Sequence, residues 1–172
     1  ENEILTAIVQ RIENKTVYVE LGRTEGVLEP NQQMPTEELN IDDRVKVYVL
    51  EVARTGRGPQ IFVSRTHPGL VKRLFELEVP EIVAGVVQIK AIAREAGFRT
   101  KMAVLSTDPL IDAVGSRVGP RGMRVENVVS ELKTEKIDIV KWSSNPAEYI
   151  ANALNPARVI SVFVSDTEKT AR

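Results

Sequence analysis

The sequence has no cysteine and a single histidine, His67. The first absence removes a disulfide framework and any thiolate-held zinc or iron–sulfur centre; it suits a reducing compartment, so the expected location is cytoplasmic. The second leaves no pair of imidazoles for a metal, and no nucleophile, base and orienting group can be assembled around the one present. His67 reads as a junction residue before Pro68. No apolar run approaches the roughly 18 residues that a membrane span requires, and the start carries no secretory pattern. The adjacent acids Glu37–Glu38 and Asp42–Asp43, in the loop around "NQQMPTEELN", read as solvent-facing charges rather than a catalytic or magnesium-binding pair. The expectation is no catalysis, no cofactor, no metal and no membrane. Aromatics make up only 5% of the chain, which leaves Tyr18, Tyr48 and Trp142 to weigh for base stacking.

What is present is an ordinary soluble composition, 42% hydrophobic and 27% charged over 172 residues. That length permits one domain or two small ones. With Glu1 in place of methionine, the chain is expected to be an excised fragment of something longer. The net charge of −1 is unevenly spread: residues 1–66 carry 8 basic and 11 acidic side chains, and residues 67–172 carry 15 and 13. Within 90–124 the basic residues Lys90, Arg94, Arg99, Lys101, Arg117, Arg121 and Arg124 face only Glu95, Asp108 and Asp112. Positive charge gathered in this way suits a phosphate-binding surface.

The first 65 residues read as five short strands, "ILTAIVQRI", "TVYVEL", "EGVL", "RVKVYVLEV" and "PQIFVSR". Val17, Val19 and Leu21 point inward, as do Val45, Val47 and Val49, with Tyr18 outward and Tyr48 sharing an outer face with Lys46. Five such strands without a helical period predict a small closed barrel of the oligonucleotide-binding type. After Arg65 the period becomes 3.6, and Leu70, Val71, Leu74, Phe75 and Leu77 predict a helix between Pro68 and Pro80. A short helix near Glu81–Ala84 follows, then a hairpin of "VVQIKAIARE" and "FRTKMAVL" turning at Gly97. In the second strand Arg99 and Lys101 lie opposite an apolar face of Phe98, Met102 and Val104. Asp108 and Pro109 open a further helix, Met123–Leu132 forms another with Val125, Val128, Val129 and Leu132 on one face, and "EKIDIVKW" is a strand. "PARVISVFVSDTEKT" repeats the pattern of "PEIVAGVVQIKAIARE", each after an amphipathic helix, so a second copy of the unit is expected to begin near the end.

Between the two helices lies "GPRG", Gly119, Pro120, Arg121 and Gly122, with Arg117 and Arg124 beside it. Glycine at both ends admits a close backbone approach, and the following helix aims its amide end at the turn. The lysine and hydroxyl of a mononucleotide loop are absent, since Met123 and Arg124 follow Gly122; the dinucleotide pattern fails because the turn joins two helices. A phosphodiester backbone is the anion left, held as a KH domain holds about four unpaired nucleotides.

With "VYVELGRTEGVLEPNQQMP", "VSRTHPGLVKRLFELEVPEI", "VGSRVGPRGMRVENVVSEL" and "NPAEYIANALNPARV" taken together, the chain resembles the S1–KH core of the NusA family of bacterial transcription elongation and termination factors, over essentially its whole length. The resemblance implies an S1 barrel of the OB type over 1–66, an α+β type II KH domain over 67–143 and the beginning of a second KH unit over 144–172. It implies binding of nascent single-stranded RNA, a role in pausing, termination and antitermination, and RNA polymerase and other transcription elongation factors as partners; no exposed heptad or long apolar edge suggests an obligate dimer, so a monomer is expected. The RNA-binding residues it points to are Gly119, Pro120, Arg121, Gly122, Arg117 and Arg124, with Arg99, Lys101 and Tyr18 as extensions. The barrel departs from the family pattern, with Lys15 where a second aromatic often lies and Glu20 and Glu29 near Tyr18. An S1–KH subunit of an RNA-degrading complex, and a scaffold whose acidic barrel docks a protein, are the alternative readings.

Overall fold

The computed structural model describes residues 1–108, 123–154 and 157–172. Its first part is a closed barrel of β1 (Ile4–Glu13), β2 (Thr16–Glu20), β3 (Glu25–Leu28), β4 (Arg44–Thr55) and β5 (Gly58–Ser64), in the order β1-β2-β3-β5-β4. The β1–β4 pairing closes it, and β3–β5 is the parallel pair. Asn14 and Lys15, both at positive φ, make the two-residue β1–β2 turn, the type whose twist matches antiparallel strands. Val9, Val17, Val19, Leu28, Val45, Val47, Val49 and Val63 fill the interior. Burial of each such side chain contributes about 1.5–3 kcal/mol. The strands bend at irregularities between Val9 and Arg11 and between Val49 and Glu51, the device by which short strands curve into a barrel.

The second part begins with α1 (Pro68–Glu78) and α2 (Pro80–Val83). A three-stranded sheet follows, β6 (Val87–Glu95), β7 (Arg99–Ser106) and β8 (Lys136–Lys141) in that order, with α3 (Met123–Leu132) on the connection between β7 and β8. β6 and β7 are antiparallel, whereas β7 and β8 are parallel; a parallel pair needs a long crossover, which this connection supplies. Leu70, Val71, Leu74 and Phe75 of α1 and Val128 and Leu132 of α3 pack against Met102, Val104 and Ile139 of the sheet. Met34 and Tyr48 from the barrel join the same cluster, so the two parts share apolar surface.

The seam is also ionic. Arg65, fully buried, donates from Nη1 to Lys46 O at 2.6 Å and to Glu131 Oε1 at 2.9 Å, and from Nη2 to Glu37 Oε2 at 2.6 Å. Arg94 and Glu135 form a second pair, 3.0 Å apart with neither side chain exposed. Glu135 also accepts from Gly97 N and Thr100 Oγ1, while Arg94 Nη1 donates to His67 O. Gly97 has φ +84 and an added Cβ would stand 2.4 Å from Thr36 Oγ1. Both the turn and the barrel's approach require glycine there.

Several sequence expectations give way. Glu37 is no solvated loop charge; its side chain is 2% exposed against Arg65. Leu77 is 64% exposed, in the last turn of α1 beside Ile4 and Val83, past the packed stripe. Phe98 is 52% exposed because the turn ends there, and Glu135 takes the inner side of that end of the sheet. Tyr48, by contrast, keeps the outer barrel face expected of it, and the seam covers that face. The alternating strand expected within "PARVISVFVSDTEKT" shrinks to a hairpin of β9 (Val164–Ser165) and β10 (Thr170–Ala171), after α4 (Pro146–Ala153). Ile160 and Phe163 are exposed, and alternation alone does not hold a strand without a covered face.

Candidate nucleic-acid interface

Gly119, Pro120, Arg121, Gly122 and Arg117 lie outside the described residues. α3 starts at Met123, directly after Gly122, and places Arg124 in its first turn. The amide end of a ten-residue helix therefore adjoins the basic glycine-flanked segment, a combination that favours an anion.

Arg99 and Lys101 share the outer face of β7, but both are engaged. Arg99 Nε donates to Asp138 Oδ2 at 2.5 Å, and that hydrogen bond raises the guanidinium above its ordinary pKa. Lys101 Nζ donates to Ala153 O at the C-terminal end of α4, where a cation meets the negative end of the helix. Arg94 is buried on Glu135. Burial lowers its pKa more than Glu135 raises it, yet arginine remains protonated at any working pH. Of the basic residues of 90–124, Arg94 and Arg99 are thus answered by carboxylates, Lys101 by a helix end, and Lys90 Nζ lies over Trp142.

Tyr18 points out of the barrel, as the alternation of β2 requires, but its ring is covered. The irregularity after Val9 sets Arg11 directly across from Tyr18, and the guanidinium lies 4.1 Å from the ring centroid. Glu25 holds Arg11 at 2.9 and 3.2 Å, with Glu13 at 3.4 Å. Tyr18, Arg11 and Glu25, together with Thr55 to Gln60 around the β4–β5 turn, line a concavity of about 760 Å³. A planar guanidinium itself stacks on bases, so Arg11 extends the Tyr18 surface. No spacing rule reveals Arg11, because the irregularity in β1 is what turns it onto that face.

The other aromatics are packed. Tyr48 and His67 stack with centroids 4.5 Å apart and planes at 7°. Trp142 meets Tyr149 edge-on at 6.3 Å, with Lys90 Nζ 5.1 Å over the indole. Among the described residues no group of three acids, histidines or cysteines is placed to hold a metal, and no helix is long and apolar enough to cross a membrane.

Comparison with known proteins places these two parts. Residues 1–64 match the S1 RNA binding domain, and residues 65–142 match the NusA-like first KH domain. The transcription termination/antitermination protein NusA of Bacillus subtilis is 57% identical over 169 residues, 98% of this chain and 46% of that protein. Its counterpart in Halalkalibacterium halodurans is 54% identical over all of this chain and 45% of its own length, and that of Thermus thermophilus 46% identical over all of this chain and 45% of its own. The chain spans about half the length of these relatives. An S1-type barrel joined by a buried seam to a first KH domain of the NusA type, with relatives of one name along its whole length, makes the chain a member of the NusA family.

Proposed function

We propose that this chain is the part of a transcription termination/antitermination factor that holds nascent single-stranded RNA. The observation that carries the reading is α3 beginning directly after "GPRG" on a KH-type sheet fixed to an S1 barrel. The sugar–phosphate backbone passes along Gly119, Pro120, Arg121 and Gly122, with Arg117 and Arg124 beside it. Arg99 and Lys101 extend the path over β7, and Tyr18 with Arg11 offers the barrel's own stacking surface. The chain acts by retention: a few unpaired nucleotides stay bound while RNA polymerase and other elongation factors, its partners in the cytoplasm, pause, terminate or read through. It does so as a monomer and without catalysis. Residues 67–143 serve as the first KH domain and 144–172 as the beginning of a second. The relatives' names support this reading over an RNA-degrading subunit.

Fluorescence anisotropy of the chain with a short A-rich RNA, the matching DNA and a duplex, at two salt concentrations, tests it. Pro120→Asp with Arg121→Asp is expected to lose a preference for single-stranded RNA shown by the parent, while circular dichroism stays unchanged. Equal affinity in the folded variant would overturn the assignment of the loop.

A further inference from the structure

The seam between barrel and KH domain holds a cleft that the reading above leaves unused. It measures about 330 Å³ and is lined by Tyr48, His67 and Gly69, by Lys72 of α1, and by Lys90 and Ile92 of β6. A cleft of this size is at the lower end of small-ligand sites. Its lining contains cations and aromatic rings but no carboxylate, unlike the concavity beside Tyr18 with Glu25 or the groove beside Leu77 with Glu3 and Glu76.

The rings are fixed before any ligand arrives. Tyr48 is 7% exposed and donates its hydroxyl to Asn2 Oδ1 at 2.9 Å. The imidazole of His67 lies flat on it, accepts Gly69 N–H at Nδ1 at 2.9 Å, and is anchored by Arg94 Nη1 on its carbonyl. An acceptor at Nδ1 assigns the proton of the neutral ring to Nε2, a donor on the rim. A Cβ at Gly69 would stand 2.5 Å from Tyr48 Cε2 and 2.8 Å from His67 Nδ1, so only glycine admits both rings against the start of α1. One face of the imidazole is spent on Tyr48; the residue is nonetheless exposed. Lys72 and Lys90 are exposed residues of the same lining; Lys72 has no ion-pair partner among the described residues, and the Lys90 ammonium stands 5.1 Å over the Trp142 ring, from which its flexible stem can swing.

We propose that the Tyr48–His67 stack is a platform for one unpaired nucleobase of a bound RNA, with Lys72 and Lys90 on the phosphates that flank it. A fixed aromatic stack in a cleft lined by two lysines and no carboxylate has the complementarity of a nucleotide, and stacking on such a face tolerates any base. The inference rests on the RNA-binding reading and adds to it a contact between the KH sheet and the barrel.

Two substitutions separate the ring from the hydrogen bond it accepts. His67→Asn keeps a side-chain acceptor for Gly69 N–H and removes the ring; His67→Phe keeps the ring and removes the acceptor. With an oligoadenylate on the full chain, His67→Asn is expected to bind about five-fold or more weakly, and His67→Phe to bind as the parent does. Lys72→Gln and Lys90→Gln are each expected to reduce the slope of log affinity against log salt by about 0.7. A purely structural role for His67 gives the reverse order, with Asn like the parent and Phe impaired, and that order would overturn the platform. Affinities and slopes unchanged in all four, while the Pro120→Asp, Arg121→Asp loop variant loses binding, would also overturn it and leave the KH reading standing. Loss in His67→Asn with an unaffected loop variant would support the platform and remove the loop. No RNA binding by the parent would overturn both.

Discussion

The interior of the barrel and the seam beside it are built on opposite terms. The barrel encloses valines and leucines that alternate along each strand, Val17 and Val19, then Val45, Val47 and Val49. The seam encloses Arg65, Glu37, Arg94 and Glu135, with side chains at most 2% exposed. An apolar interior loses stability in proportion to what is removed, and neighbouring side chains partly fill the gap. A buried ion pair behaves differently, because removal of one member strands the other without water. The barrel is therefore tolerant and interchangeable in its parts, while the seam is a set of matched partners that fixes how the KH sheet meets the barrel.

The largest effect is expected at Glu135. Its carboxylate answers Arg94, Gly97 N and Thr100 Oγ1 together, and the only other acceptor for Arg94 among the described hydrogen bonds is the neutral carbonyl of His67. Glu135→Ala is expected to cost about 3–5 kcal/mol, read as the fall in urea-unfolding free energy. A loss near that of a surface substitution would mean that water reaches Arg94 and that the contrast with the barrel is false.

The Arg65 site sharpens the comparison at a smaller scale. Arg65→Met leaves Glu37 buried without a cation, whereas Arg65→Met with Glu37→Met replaces the pair by apolar volume. The double variant is expected to recover most of what the single one loses, since a buried pair is often no better than a packed apolar substitute. Glu131 keeps the recovery incomplete: its side chain is 26% exposed and bonds Lys46 N as well as Arg65. A double-mutant cycle with additive losses would show that the two residues do not depend on each other.

The same contrast explains what the sequence discloses. Alternation identifies the barrel strands because a period of two is the direct trace of a half-buried strand. The 3.6 period likewise finds α1 and Met123–Leu132. Charge carries no such trace: Glu37 beside Glu38 has the composition of a solvated loop, and Arg94 was one of seven basic residues until Glu135, remote in sequence, came beside it. Arg11 on Tyr18 depends on a strand irregularity, and the Tyr48–His67 stack on Gly69 making room. The GPRG residues are legible as a motif from their order alone. The Arg11–Tyr18 contact on the barrel and the Tyr48–His67 stack in the seam are products of tertiary packing.

The smallest effect concerns His67, where apolar and ionic parts of the seam meet. Burial, and then the nearby Arg94 charge, hold its imidazole below the usual 6.5, and protonation at Nδ1 would also forfeit the Gly69 N–H bond. The charged residues near the ring on the elements packed around it are Arg94, Lys72 and Lys90, all cations, and Glu135 is committed to Arg94. As pH falls below 6.5 the unfolded chain takes up the proton first, so folding stability contributed by this residue is complete above that value. It declines as pH drops through the lower folded pKa, and below that the dependence on His67 vanishes. His67→Asn retains an acceptor for Gly69 and cannot titrate. Urea-unfolding midpoints of the parent and the variant should run parallel above pH 7 and converge or cross just below 6.5, the parent having the steeper slope. Parallel curves throughout would mean that the imidazole titrates alike in both states, and that the stack on Tyr48 imposes no preference for the neutral ring.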